Sequence, residues 1–139
     1  IILGPGSLFT SLIPNLLVDR VAGEIRRSDA KKFYVTNIMT EPGETENFTA
    51  ADHLEALSSY LEPDILDYVV VNVGGADKQL LSRYAQEGAE LVEADLVDHN
   101  TYGVDLLLDD LVDTVELEGK KTVKHDHDRL ARLILSTLE

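Results

Sequence analysis

Short apolar runs alternate with amphipathic segments along the chain. Residues 1–3, 32–37 and 68–73 are aliphatic, aromatic or β-branched and predict strands, and a shorter strand is predicted at residues 89–93. The run at residues 68–73 is almost continuously apolar. We therefore expect that strand to be buried on both faces, as strands of parallel sheets are.

Apolar residues at helical spacing follow the predicted strands. Ser7 can cap a first helix, and Pro14 is expected to end or kink it because proline lacks a backbone donor. Thr49 with Asp52 forms a capping-box pattern at the start of another helix. Further helical patterns cover residues 21–27, 50–62 and 76–87. Strands that alternate with helices predict an α/β fold with a parallel sheet.

The last third of the chain has a less uniform pattern. In residues 94–113, three aspartates (Asp105, Asp109 and Asp113) are spaced as one helical face, but Gly103 and the valines also permit extended chain, so both remain open. Residues 114–118 and 121–124 predict a small hairpin hinged at Gly119. A last helix is predicted to start at Asp126 or Asp128, with four residues facing the core: Leu130, Leu133, Ile134 and Leu138.

Composition narrows the function classes. The 139 residues are 44% hydrophobic and 27% charged, which is typical of one globular domain. With 26 acidic and 12 basic residues the net charge is −14, which repels a phosphate backbone, so we expect no nucleic-acid partner. The lack of cysteine excludes disulfides, cysteine-ligated zinc and thiol nucleophiles. No apolar run approaches the roughly 20 residues of a membrane helix, so we expect no membrane partner and a cytoplasmic protein.

Three polar segments follow the predicted strands, at the edge where open α/β sheets bind ligands. In residues 4–11, glycines allow a ligand to come close to the backbone, and the start of a helix offers N–H groups that can hold an anion. The expected phosphate-binding residues are Gly4, Gly6, Ser7 and Thr10. Residues 37–45 and 72–75 supply small polar groups for other parts of a ligand: Asn37, Thr40, Glu41, Gly43, Glu44, Thr45 and Asn72. Plain turns and a surface loop remain the alternatives.

The sequence gives less indication of a metal site or of acid–base catalysis. The alternating ligand types of residues 125–128 cannot converge on one metal ion, so we expect Asp126 or Asp128 to cap a helix. His53 and His99 are isolated in the sequence and are expected at the core edge or in solvent. Carboxylates are too numerous for one acid–base pair to be singled out.

Two long motifs carry a resemblance to a known family. Residues 4–18 (GPGSLFTSLIPNLLV) and 37–45 (NIMTEPGET) resemble the bacterial gluconeogenesis factor family, YvcK-like, which belongs with 2-phospho-L-lactate transferase in the CofD-like superfamily. The resemblance is strong over residues 1–61 and looser beyond. It implies a Rossmann-like parallel sheet with helices on both faces, and a single α/β unit over residues 1–139 that is the C-terminal portion of a longer CofD-like domain.

The sequence departs from the family pattern at three positions. Glu41 stands where the family commonly has glutamine, Phe9 where it has tyrosine, and Lys124 where it has arginine. A carboxylate cannot donate a hydrogen bond as an amide does, and a lysine lacks the bidentate fork of arginine, so ligand preference can differ.

The resemblance implies binding of a nucleotide-containing small molecule. The gluconeogenesis branch implies a regulatory nucleotide-sugar-binding protein linked to carbon metabolism, cell shape and wall synthesis, with UDP-sugars as ligands and no established reaction. The transferase branch implies transfer of a phospholactyl group from a GDP-linked donor to a deazaflavin, with Mg²⁺ held by acidic residues such as Asp52. The apolar strand at residues 1–3 would leave an open sheet edge, so we expect a homo-oligomer.

Overall fold

The computed structural model describes residues 1–61, 64–97 and 102–138. Its centre is a four-stranded parallel sheet of β1 (Ile2–Leu3), β2 (Phe33–Val35), β3 (Tyr68–Asn72) and β4 (Asp105–Asp109), in the order β1-β2-β3-β4. Tyr34 pairs with Leu3 on one side and with Val69 on the other. The first three strands therefore lie where the apolar runs predict them, and the α/β class with a parallel sheet is confirmed.

The fourth strand differs from the prediction. β4 forms in the segment left open between helix and strand, and pairs with β3 over five residues. The predicted strand at residues 89–93 is wrong: only one bridge forms there, between Leu91 and Met39. The segment instead lies antiparallel to the chain after β2, through Val92 N to Ile38 O at 2.9 Å. The apolar run of β4 occupies the free edge of β3, so residues 89–93 bond to the loop.

Helices cover both faces of the sheet, as expected. On one face, the short helices α1 (Ile13–Leu16) and α2 (Val21–Arg27) pack with α3 (Ala50–Leu61) on Tyr34, Val69 and Val71. On the other face, α5 (His127–Leu135) packs on Phe33, Val35 and Val70. Side chains alternate between faces along a strand, so each buried strand contributes to both cores.

The chain after β1 begins its helix in an unexpected way. Leu8–Leu12 forms a π-helical turn in which the Ser7 carbonyl accepts from Ser11 N and Leu12 N, both at 3.0 Å. The Ser7 side chain makes no capping bond, so that prediction is wrong. Pro14 does not end the helix but lies in the first turn of α1, directly after the change from π-helical to α-helical geometry.

The capping box of α3 is confirmed. Thr49 N donates to Asp52 Oδ2 at 2.8 Å, and Asp52 N donates to Thr49 Oγ1 at 3.2 Å. The predicted end of this helix at Glu62 lies outside the described residues. α4 (Lys78–Gln86) starts two residues later than predicted, because the Asp77 side chain caps it by accepting from Gln79 N and Leu80 N.

The predicted hairpin forms from β5 (Val112–Leu117) and β6 (Lys120–His125). It packs on α4 through a small cluster containing Ile38, Leu80 and Val123. Asp126 caps α5 by accepting from Arg129 N, as the sequence predicts. Leu130, Leu133 and Ile134 pack inward, but Leu138 lies beyond the helix and is 57% exposed, so its predicted burial is wrong. No helix among the described residues is long and apolar enough to span a membrane.

Candidate functional site

A cleft of about 410 Å³ opens at the carboxyl ends of β1 and β2. One wall is formed by Pro5 and Gly6 after β1 and by residues 37–42 after β2. The second wall is formed by α4, the turn after it and the hairpin, through Tyr84, Glu87, Ala89 and residues 122–125. The position agrees with the general rule for ligand sites in open α/β sheets.

The turn after β1 needs glycine at its first position. Gly4 has a φ of +85°, and a Cβ built there would lie only 2.8 Å from the carbonyl oxygen of Val35. Gly6 has more room, since the nearest atom to its Cβ would be Ser11 Cβ at 4.0 Å. Gly4 therefore lets the chain pass close over β2, and Gly6 lines the cleft with little side-chain bulk around it.

Asn37 joins the two loops of the first wall. Its side chain is buried (8% exposed), with Oδ1 accepting from Gly6 N at 3.3 Å and Nδ2 donating to Glu41 Oε1 at 3.4 Å. Both distances are long for N–H···O bonds. A ligand group entering the cleft can therefore replace either of them at modest cost.

The loop at residues 40–45 is folded by its own threonines. Thr40 Oγ1 accepts from Glu90 N and Thr45 Oγ1 accepts from Glu41 N, each at 2.9 Å. Both side chains are buried, and of the two threonines only Thr40 lines the cleft. Glu44 Oε2 is buried without a hydrogen-bond partner among the described residues. Gly43 provides the left-handed turn, with φ +82°.

Four of the residues predicted from the sequence line the cleft: Gly6, Asn37, Thr40 and Glu41. The others lie outside its lining: Gly4, Ser7, Thr10, Gly43, Glu44, Thr45, Asn72 and Asp52. Asn72 is engaged elsewhere, with Oδ1 accepting from Gly74 N and Leu111 N. Asp52 Oδ2 accepts from Thr49, and the described residues contain no group of three or more side chains suited to hold a metal ion.

Sequence reasoning did not predict the second wall. His125 Nε2 lies 3.1 Å from the carbonyl oxygen of Thr36, and Tyr84 Oη accepts from Val123 N at 3.0 Å. The contacts join segments 89 and 39 residues apart, so no local pattern could reveal them. The only signal in the sequence is that Lys124, directly before His125, stands where the family commonly has arginine.

The charges of the cleft are mixed. Glu41 and Glu87 line it together with Lys124 and His125. Burial lowers the pKa of His125 below its usual value, and nearby Lys124 adds to the effect, while the Thr36 carbonyl opposes it. The imidazole is therefore neutral at pH 7, and Lys124 is the basic side chain of the lining.

A second histidine lies buried near the first wall. His53 is fully buried, its Nδ1 lies 2.8 Å from the Thr49 carbonyl oxygen, and its ring packs edge-on against Phe48. A carbonyl only accepts, so Nδ1 carries the proton and Nε2 is left without a partner among the described residues. Burial lowers the pKa of His53, outweighing the Thr49 carbonyl and the charges of Asp52 and Glu41.

Comparison with curated proteins finds similar chains in several bacteria. A putative gluconeogenesis factor of Thermotoga maritima is 42% identical over 135 residues, covering 96% of this chain and 42% of that protein. A putative gluconeogenesis factor of Clostridium acetobutylicum is 38% identical over 138 residues, covering 99% of this chain and 30% of that protein. The gluconeogenesis factor of Bacillus subtilis is 35% identical over 139 residues, covering 100% and 43%. The chain thus spans less than half of each relative.

A solved structure and a family profile agree with these relatives. The crystal structure of a UPF0052 family member from Bacillus halodurans superposes with a TM-score of 0.87 at 36% identity, covering 97% of this chain and 42% of that one. The profile described as "2-phospho-L-lactate transferase CofD" matches residues 1–112. This match covers the sheet and the first wall of the cleft. The chain therefore belongs to the CofD family, within which its curated relatives are named gluconeogenesis factors.

Proposed function

We propose that this chain forms the ligand cleft of a cytoplasmic, regulatory nucleotide-sugar-binding protein of the gluconeogenesis factor type. Such a protein would link nucleotide-sugar levels to carbon metabolism, cell shape and wall synthesis. The observation that carries the proposal is the meeting of the Gly6 turn and Asn37 at the carboxyl end of the parallel strands. Small, polar, backbone-rich walls at this edge are typical of nucleotide sites in α/β folds.

A phosphate group fits the chemistry at one end of the cleft. Gly6 N–H is bound only at 3.3 Å, and a charged oxygen accepts more strongly than the amide oxygen of Asn37. Lys124 offers a positive charge from the second wall. The protein is strongly acidic, so an anion would need a local cation and a weakly bound backbone donor, and Lys124 and Gly6 N–H supply them.

The side chains that line the cleft favour a regulatory protein that binds its ligand without catalysing a reaction. Its titratable groups are Glu41, Tyr84, Glu87, Lys124 and His125. Tyr84 Oη is engaged with Val123 N, and no nucleophile paired with a base is found among the lining residues that the structure describes. The cleft is therefore better suited to recognition than to nucleophilic chemistry.

A 2-phospho-L-lactate transferase-like activity is the second candidate, favoured by the profile match over residues 1–112. That reaction would use Mg²⁺ with a GDP-linked donor. The described residues do not fit a protein-built Mg²⁺ site, because Asp52 is engaged in its capping box and no ligand cluster surrounds it. An ion would depend mainly on the oxygens of the donor's diphosphate.

Calorimetry on the protein expressed from its complete reading frame separates the candidates. Titration uses UDP-N-acetylglucosamine and GDP, each with and without Mg²⁺. The regulatory proposal expects saturable binding of UDP-N-acetylglucosamine without metal. Tight GDP binding that requires Mg²⁺ would favour the transferase, and no binding of either nucleotide would contradict both.

A further inference from the structure

We propose that Glu41 and His125, one from each wall, form a subsite that recognises hydroxyl groups of the ligand by accepting their hydrogen bonds. The inference rests on the proposed nucleotide-sugar function and names the part of the ligand that these two residues select. It concerns two residues that line the same cleft and have acceptor atoms left over from their contacts within the protein.

Glu41 is held so that one carboxylate oxygen remains free. Its N–H donates to Thr45 Oγ1 at 2.9 Å, and its carbonyl accepts from Glu44 N and Thr45 N, so the backbone is fixed. Oε1 accepts from Asn37 Nδ2. Oε2 has no partner among the described residues and is not sealed from solvent.

His125 offers an acceptor from the other wall. The Thr36 carbonyl can only accept, so the proton of the neutral ring lies on Nε2. Nδ1 then carries a lone pair, and the hydrogen bonds of the described residues leave it without a donor. Burial favours the neutral ring by lowering the pKa of His125, which keeps Nδ1 an acceptor at pH 7.

Two acceptors in one cleft set the chemistry of the ligand. An anionic group beyond the one held by Gly6 N–H and Lys124 would meet the carboxylate of Glu41 and a lone pair of His125, which repel it. A sugar hydroxyl donates one hydrogen bond to such an acceptor and carries no charge to be desolvated. The volume of about 410 Å³ lies near the small end of known ligand cavities, which suits part of a nucleotide sugar.

The test uses substitutions that change the hydrogen-bonding character with little change of shape. Glu41→Gln keeps an oxygen for Asn37 and replaces the free acceptor by a donor. His125→Leu removes the Nδ1 acceptor, together with the Nε2 donor to the Thr36 carbonyl. Glu55→Gln, on the exposed side of α3, changes the net charge equally and is the matched control.

Binding of three probes is measured by calorimetry on the full-length protein: UDP-N-acetylglucosamine, UDP and 2′,3′-dideoxyuridine diphosphate. Each test variant is expected to lose roughly tenfold or more in affinity for a probe whose hydroxyl group it binds, and Glu55→Gln to lose nothing. A loss confined to UDP-N-acetylglucosamine assigns the subsite to the linked sugar. An equal loss for UDP, absent for the dideoxy probe, assigns it to the ribose.

The inference and the proposed function fail in different ways. Wild-type protein that binds neither UDP nor UDP-N-acetylglucosamine overturns the proposed function and this inference with it. Wild-type binding with unchanged affinity in both folded test variants overturns the inference alone. An equal loss for all three probes also overturns it, because the dideoxy compound lacks the ribose hydroxyls and the linked sugar. Melting temperatures identify any variant that is misfolded, and the other variant then decides.

Discussion

Replacing Gly4 by alanine is expected to destabilise the protein well beyond the usual cost of a substitution in a turn. Gly4 has φ +85°, and a Cβ there would lie 2.8 Å from the Val35 carbonyl oxygen in β2. The left-handed backbone costs an alanine about 1–2 kcal/mol. Overlap with a sheet oxygen that cannot easily move adds a packing cost of about 1–3 kcal/mol. We expect a loss of about 2–5 kcal/mol in the free energy of unfolding.

Two other glycines separate the contributions. Gly43 has nearly the same φ, +82°, but no atom within 4 Å of a built Cβ, so Gly43→Ala should cost only about 1–2 kcal/mol. Gly6→Ala meets no strain and only an ordinary contact with Ser11 Cβ at 4.0 Å, so it should stay within about 0.5 kcal/mol of wild type. Urea denaturation followed by circular dichroism gives all three values. A loss in Gly4→Ala no larger than in Gly43→Ala would refute the argument from close approach.

The remaining predictions concern binding, pH and association. Gly6→Val should weaken binding of UDP-N-acetylglucosamine in calorimetry far more than it lowers the melting temperature; affinity within twofold of wild type would make the turn merely structural. Asn37→Ala should lower the affinity for the same probe roughly 5- to 150-fold, which corresponds to about 1–3 kcal/mol. Thr40→Ala should mainly lower the free energy of unfolding, because it leaves Glu90 N without its acceptor. Folding lowers the pKa values of His53 and His125, so below about pH 6.5 the unfolded chain binds more protons than the folded protein. The free energy of unfolding, measured by urea denaturation, should therefore fall as the pH drops below about 6.5. A free energy of unfolding that does not change between pH 7.5 and pH 5 would contradict this. Analytical ultracentrifugation of this 139-residue chain should show self-association that increases with salt concentration. The reason is that β1 is an edge strand of the described sheet, and salt screens the repulsion between chains of charge −14. A chain that sediments as a monomer at every salt concentration and melts in one sharp transition would contradict this.

The elements predicted well from the sequence are those defined by local chemistry. The apolar run of β3, the capping box of Thr49 and Asp52, and the Asp126 cap of α5 each depend on residues a few positions apart. Strand pairing is different. Residues 89–93 and 105–109 are both short and partly apolar, and only competition for the free edge of β3 decides which of them joins the sheet.

The site was predictable in one wall and not in the other. Gly6 and Asn37 follow successive parallel strands, so strand order alone brings them together. Thr45 shows the limit of local reasoning: a polar side chain in a loop can serve a ligand or the loop's own backbone, and here it accepts from Glu41 N. Tyr84 and His125 reach the cleft through packing of α4 and the hairpin, which no sequence spacing encodes.

A crystal structure of the full-length protein with UDP-N-acetylglucosamine bound would test the proposed site most directly. We expect the diphosphate beside Gly6 and Lys124, with the ligand between Asn37 and His125. We also expect Glu41 Oε2 and His125 Nδ1 to accept hydrogen bonds from ligand hydroxyl groups. A ligand bound elsewhere, with this cleft holding only solvent, would contradict it.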